Sequence, residues 1–185
     1  MSGAHDNRRD REWLARLAAG SAEALAELYD GHAASLLRHA VALTRCRADA
    51  EDLVQTVFLK VATVGAELLG VRQPRHYLHR MVHTTWIDGQ RRQVTGRRVA
   101  EEALFGMDDG FGAHGAAAEN LIDIARALAR LPEVQREAVV LHLVEGFSFR
   151  EVGHLTGVSL FTAAARYRLA VKRLRQTLRP DSGDE

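Results

Sequence analysis

The chain has 185 residues, is 46% hydrophobic, and carries 25 Lys and Arg against 24 Asp and Glu, a net charge of +1. That length allows one medium domain or two small ones, and the apolar content is enough to bury a core. With only three Pro, no long run of alternating β-branched or aromatic residues, and an excess of Ala, Leu, Arg and Glu, the composition favours an all-α protein. The single Cys46 rules out an internal disulfide framework and suits a reducing cytoplasm. Residues 1–11 are polar, without the apolar stretch of a signal peptide, and no apolar run reaches membrane-spanning length. A cytoplasmic location with no membrane insertion is the expectation.

Net charge says little about partners, but its distribution does. Arg72 to Arg98 holds seven Arg and one acid, Asp88; Val99 to Ala125 holds six acids and no Lys or Arg; Ala164 to Pro180 holds six bases and no acid. Phosphate affinity comes from clustered cations, so this basic, acidic, basic order suits a protein that binds a polyanion.

In chain order, a short helix is expected from about Arg9 to Ala19, ending at Gly20. Ser21 then suits the N-cap of a long helix to about Arg45, with Leu25, Leu28, Leu36, Ala40 and Leu43 as its stripe. Asp49 reads as the next N-cap, followed by Leu53, Val57 and Val61 at steps of four. Pro74 suits the first turn of a fourth helix that buries Leu78, Met81, Val82 and Thr85. Val94 to Ala118 contains five Gly and no helical period, and reads as a linker between two helical domains, 1–93 and 119–185. Beyond it a helix is expected from Glu119 to Arg130, and another opened by Pro132 and closed by Gly146. Ser148 and Glu151 form a capping box for a short helix to about Leu155. Gly157 makes a turn, and Ser159 caps a final helix from Leu160 to about Leu178. Short helix, Gly turn and longer basic helix make a helix-turn-helix pattern.

Three constellations carry chemistry. On the last helix, Ala163, Tyr167, Ala170, Leu174 and Leu178 share an inward face, while Arg168, Lys172, Arg175 and Arg179 form a stripe opposite, flanked by Arg166 and Arg173. An isolated basic helix face is often only solvated, but this one has no interleaved acids and follows a helix-turn-helix. Ser159, Thr162 and Arg166 are then the polar candidates near base edges, with Arg168 at the boundary and Lys172 and Arg175 on phosphates. On the fourth helix, Tyr77, Arg80, Thr84 and Arg91 lie near one face, with Arg92 following and His76, His79, His83 and Trp86 beside it. Cations interleaved with aromatics suit single-stranded DNA; the alternative is that Tyr77 and Trp86 are simply core, and for Trp86 the two readings weigh equally. Between Asp49 and Lys60, the side chains of Asp49, Asp52, Gln55 and Thr56 offer a polar, partly acidic face beside Phe58 and Leu59, two apolar residues that the stripe need not fully bury. Such a face fits docking on a basic protein partner, or simply acids complementing a helix dipole.

Enzymatic motifs do not emerge. His76, His79 and His83 have helical spacing but no His-Glu-x-x-His pattern, and neither a phosphate-binding Gly loop nor a nucleophile elbow is present. A non-enzyme without metal or cofactor is expected.

Ala48-Asp-Ala-Glu-Asp-Leu-Val-Gln-Thr-Val-Phe-Leu-Lys-Val61 closely resembles region two of the extracytoplasmic-function sigma factors of the sigma-70 family. Pro74-Arg-His-Tyr-Leu-His-Arg-Met-Val, with Ile87-Asp88 and Arg91-Arg92, resembles their promoter-melting helix. Leu131-Pro-Glu-Val-Gln-Arg-Glu-Ala-Val, Gly146-Phe-Ser-Phe-Arg-Glu-Val-Gly and Thr156-Gly-Val-Ser159 resemble region four. The resemblance covers nearly the whole chain in the same order and spacing. It implies that the helix around Asp49, Asp52, Gln55, Thr56 and Leu59 docks on core RNA polymerase. It also implies that the Pro74 helix holds the melted minus-ten element of promoter DNA, through Tyr77, Arg80, His83, Thr84, Trp86, Arg91 and Arg92. The helix after Ser159 would read the minus-thirty-five element, and the acidic linker would thread toward the active-site and RNA-exit channel. No further domain is expected beyond Glu185, so control is expected from another chain, an anti-sigma factor. Thr84 stands where the family often has Asn, Trp86 where it has an aliphatic residue or Ala, and Phe161-Thr-Ala-Ala-Ala165 where Gly-Thr-Val-Lys-Ser is common. The competing readings are a stand-alone helix-turn-helix regulator and a metal-dependent hydrolase built on the His cluster.

Overall fold

The structure is a computed structural model that describes residues 12–95 and 124–178. Every regular element among the described residues is helical. The chain divides into two compact units, Met1–Ala40 with Ala48–Ala100, and Val41–Arg47 with Glu101–Glu185.

In the first unit, α1 covers residues 12–18. It is tied to the next helix by Trp13 Nε1, which donates to the Ala24 carbonyl at 3.0 Å, and by a bidentate Arg16–Glu27 ion pair. Ser21 caps α2 (Ala22–Thr44) as its sequence position suggests, its Oγ accepting from the Ala24 amide at 3.1 Å. The stripe Leu28, Leu36, Ala40 and Leu43 is buried, and Leu25 is half-buried.

The next helix corrects the expectation at Asp49. The α3 helix spans Arg47–Val64, so Asp49 lies in its first turn and is not its cap. The cause is the shortness of the connection. Arg45 takes a left-handed conformation, φ 61°, and the Thr44 hydroxyl bonds both the amide and the carbonyl of Cys46, so the chain re-enters a helix at once. Phe58 is also buried, against Tyr29 at a ring-centroid distance of 4.9 Å, so the stripe covers it and leaves only Leu59 outside.

A 3-10 turn, Gly65–Gly70, leads to α4, Pro74–Thr95, which Pro74 opens as expected. Leu78 and Val82 are its buried core positions, with Met81 and Thr85 half-buried, and Thr85 accepts from Lys60 Nζ at 2.8 Å. The α4 helix continues through Thr95; the rest of the stretch read as a linker, from 96 to 118, lies outside the described residues.

In the second unit, α5 is described over residues 124–129 and the helix start expected at Glu119 lies outside them. Helix α6, Glu133–Val139, runs into a π turn, Val140–Val144, in which the Glu145 amide reaches back five residues to the Val140 carbonyl. Helix α7, Phe149–Thr156, starts at the capping box: Ser148 Oγ accepts from the Glu151 amide at 3.3 Å, and Glu151 Oε2 accepts from the Ser148 amide at 2.7 Å. Gly157 ends it in the left-handed region, φ 70°, and Ser159 caps α8, Leu160–Thr177. The core forms where α6 and α7 pack on α8. One cluster joins Leu141, Phe147, Val152, Leu155 and Ala163; another joins Leu131, Val139 and Ala170 with Leu128, Tyr167 and Leu174.

Candidate polymerase and nucleic-acid interfaces

On α3 the proposed docking residues share a face. At 3.6 residues per turn, Asp52, Gln55, Thr56 and Leu59 lie opposite Leu53, Val54, Val57 and Val61, with Asp49 at the edge. All five are exposed, and Leu59 is 69% exposed, which makes it an uncovered apolar knob amid polar groups. The Thr56 hydroxyl donates to the Asp52 carbonyl at 2.8 Å, so it turns back on its own helix.

The α4 face divides the residues expected to hold melted DNA. Tyr77, Arg80, Thr84 and Arg91 fall along one side, with Arg80, Thr84 and Arg91 exposed and Tyr77 half-buried. Burial, with the charge of Glu67, holds the Tyr77 phenol above its ordinary pKa, so it is a neutral donor at physiological pH. Thr84 donates to the Arg80 carbonyl at 2.9 Å, and Arg91 faces Asp88 at 3.8 Å. Arg92 is exposed. Trp86 is half-buried on the side of Val82 and His79, away from Tyr77; His83 is half-buried and also lies off the Tyr77 face. His79, grouped by spacing with the aromatic face, is instead sealed in the core. Among the described residues, no group of three or more His, Cys, Asp or Glu could hold a metal ion.

Local sequence builds the helix-turn-helix. A Cβ on Gly153 would stand 2.7 Å from the Val158 carbonyl oxygen, so only Gly lets the turn close on α7. His142 Nδ1 donates to the Phe147 carbonyl at 2.7 Å, and its ring stacks on Phe149 at 4.0 Å while meeting Tyr167 edge-on at 4.8 Å. These rings clamp the entry to α7 onto α8. Arg136 is buried and donates to the Leu131 carbonyl at 2.8 Å; burial lowers its pKa to about 10, so it stays charged at neutral pH.

On α8, Ala163 and Ala170 are fully buried and the cations divide into two sets. Arg168, Lys172 and Arg175 are exposed and point away from the core. Arg173 Nη1 donates to Gln135 Oε1 at 3.0 Å and fastens α8 to α6. Arg166 is half-buried and lies toward the packed side. Ser159 and Thr162 have hydroxyls 2.9 Å apart, and Ser159 also accepts from the Thr162 amide at 3.1 Å. Both hydroxyls are therefore engaged in capping. Residue 179, the last of the expected stripe, lies outside the described residues.

Comparisons with known proteins bear on this arrangement. Residues 28–95 match the model for Sigma-70 region 2, and residues 121–174 match the model for Sigma-70, region 4. The chain is 30% identical to ECF RNA polymerase sigma factor SigM of Mycobacterium tuberculosis, across 95% of this chain and 88% of that one. It is 33% identical to ECF RNA polymerase sigma factor SigL of the same species, across 87% and 92%. Among solved structures, CnrH in complex with the cytosolic domain of CnrY aligns with a TM-score of 0.65 at 25% identity, covering 94% of this chain and 99% of that one. The sigma factor RpoE, in complex with the anti-sigma factor NepR from Bartonella quintana, aligns with the same TM-score at 23% identity, covering 84% and 98%, and shares the fold. Two helical units, an outward basic helix after a Gly turn, and relatives matched almost end to end agree: the chain belongs to the extracytoplasmic-function sigma factors of the sigma-70 family, which direct RNA polymerase to initiate transcription at specific promoters.

Proposed function

We propose a division of labour along the chain. Residues 1–93 dock on core polymerase through α3 and hold the melted minus-ten strand on α4; residues 119–185 read the minus-thirty-five element through α8; residues 94–118 join them. The observation that carries the reading is on α8, where Arg168, Lys172 and Arg175 stand exposed and without interleaved acids, opposite a buried Ala163–Ala170 seam. The protein acts by binding alone, in the cytoplasm, without cofactor or metal. CnrH and RpoE have been solved with protein partners, an anti-sigma factor in the case of RpoE, and we extend a partner of that class to this chain.

On α4 the single-stranded DNA surface is the Tyr77, Arg80, Thr84 and Arg91 side. The test is transcription in vitro with core polymerase, on a duplex promoter and on the same promoter with a pre-melted bubble. Tyr77→Ala should lower open-complex formation on the duplex by about fivefold or more, since one stacked base is worth roughly 1–3 kcal/mol, and Arg80→Ala should act in the same direction. The bubble should restore it. Trp86→Ala should instead lower the unfolding temperature. Tight sequence-specific binding to duplex without core polymerase would overturn the proposal in favour of a stand-alone regulator.

A further inference from the structure

The most exposed large apolar side chain among the described residues is Phe161, 76% exposed in the first turn of α8. It stands seven residues before Arg168, eleven before Lys172 and fourteen before Arg175, the spacing of one helix face. Phe161 therefore heads the outward cationic stripe and points directly away from the seam of Ala163 and Ala170. The groups around it offer little else to a base edge. Ser159 and Thr162 bond one another, Ala163 is fully buried, Ala164 and Ala165 are partly buried methyls, and Arg166 lies toward the core. Leaving so large an apolar ring in water lacks a packing rationale, because it fills no gap in either core cluster.

We infer that Phe161 is a specificity-determining residue that reads thymine in the minus-thirty-five element by apolar contact with its 5-methyl group. In the major groove that methyl is the one apolar mark on a base-pair edge, and a Phe ring is among the side chains suited to it. The N-terminal end of the second helix is the part of a helix-turn-helix that meets base edges, while cations farther along clamp phosphates. About 10 Å of helix axis separates Phe161 from Arg168, so the two meet different base pairs. The inference rests on the reading of α8 as the minus-thirty-five helix.

The experiment uses holoenzyme assembled from core polymerase and the full chain. Bound sequences are selected from a duplex pool randomised across the minus-thirty-five element. A second pool carries deoxyuridine for thymine, which removes only the methyl group. Wild-type holoenzyme should prefer thymine at one position by about fourfold, the worth of one buried methyl, and lose that preference in the deoxyuridine pool. Phe161→Ala should lose the same preference in the thymine pool and keep the rest of the profile; Phe161→Leu should retain part of it. The ring is exposed, so neither variant should alter the melting temperature. A thymine preference that survives in Phe161→Ala, or in the deoxyuridine pool, overturns the inference, as does a uniform loss at every position. Arg168→Ala separates the two levels. If it changes the profile while Phe161→Ala does not, only the role of Phe161 fails; if both variants and Lys172→Ala match wild type throughout, the assignment of α8 fails with it.

Discussion

His79 on α4 meets His39 on α2 with Nδ1 facing Nδ1 at 3.1 Å, both rings sealed from solvent, and the other nitrogen of His79 lies 3.0 Å from the Ser35 hydroxyl. Only one of the two facing nitrogens can carry a proton in that arrangement. Burial is the main cause that lowers the His79 pKa from 6.5 to about 2, helped by repulsion from His39, Arg75, His32 and His76.

His79 is thus neutral when folded and takes up a proton on unfolding. Below the ordinary His pKa the unfolded state binds more protons, so stability is full at neutral pH and falls as pH drops from about 6.5 toward 2. One such group contributes a slope of at most about 1.4 kcal/mol per pH unit. Urea unfolding of the full chain near pH 7 and near pH 5 should show this loss, and His79→Gln should flatten it. Parallel slopes in variant and wild type would mean that another group titrates.

Gly153→Ala should open the helix-turn-helix. The added methyl would meet backbone, not a flexible side-chain end. A cost of about 1–3 kcal/mol, the usual range for overpacking, is expected in the second unit. Ser148→Ala, which removes one half of the capping box, should cost about 1 kcal/mol without moving α8. Thermal unfolding together with binding to minus-thirty-five duplex by holoenzyme separates them: Gly153→Ala should lose both, and Ser148→Ala mainly the first.

Leu59→Ser tests the docking face without disturbing the fold, because the side chain is already in water. Its unfolding free energy should stay within about 0.5 kcal/mol of wild type. Affinity for core polymerase should fall by at least about 1 kcal/mol if Leu59 is an anchor at the interface centre. Asp52→Arg should act in the same direction. Unchanged affinity in a direct core-binding assay for both variants would remove α3 from the interface.

Lys172→Ala and Arg175→Ala should weaken holoenzyme on all promoters about equally and reduce the salt dependence by roughly one unit per lost phosphate contact. Arg168→Ala should relax base preference, at roughly 1–3 kcal/mol if its contact is bidentate. A promoter panel run over a salt series distinguishes them. Identical behaviour of all three would make Arg168 a phosphate-positioning residue like the other two.

What could be read from the sequence was local. Ser21, Ser148 with Glu151, and Ser159 announce their caps because the bonding partner lies three residues on. The periods of α3 and α8 likewise reveal which residues share a face. What stayed hidden depends on partners far along the chain. The burial of His79 needs His39, forty residues earlier, and the burial of Phe58 needs Tyr29. The period of α4 groups Tyr77 with Arg80 and Thr84 but cannot say that Trp86 lies on the packed side. Arg166, expected near base edges with Ser159 and Thr162, is half-buried toward the packed side, while Arg168 is exposed. Gly153 carries no signal at all until Val158 is seen against it.

The π turn at Val140–Val144 makes this part of the chain a counting device. One extra residue in a helical turn rotates everything after it by about 100° relative to a continuous α-helix. Within the turn Leu141 is buried and Leu143 exposed, and His142 donates to the Phe147 carbonyl. Exchanging Leu143 or Val144 for a polar residue changes only the surface. Deleting either one re-phases the segment and swings the entry to α7 off its ring clamp. Leu143 and Val144 are therefore open to substitution and closed to deletion, a constraint on length and not on chemistry, whereas Leu141 and His142 between the same bounds are held by the core and the ring clamp.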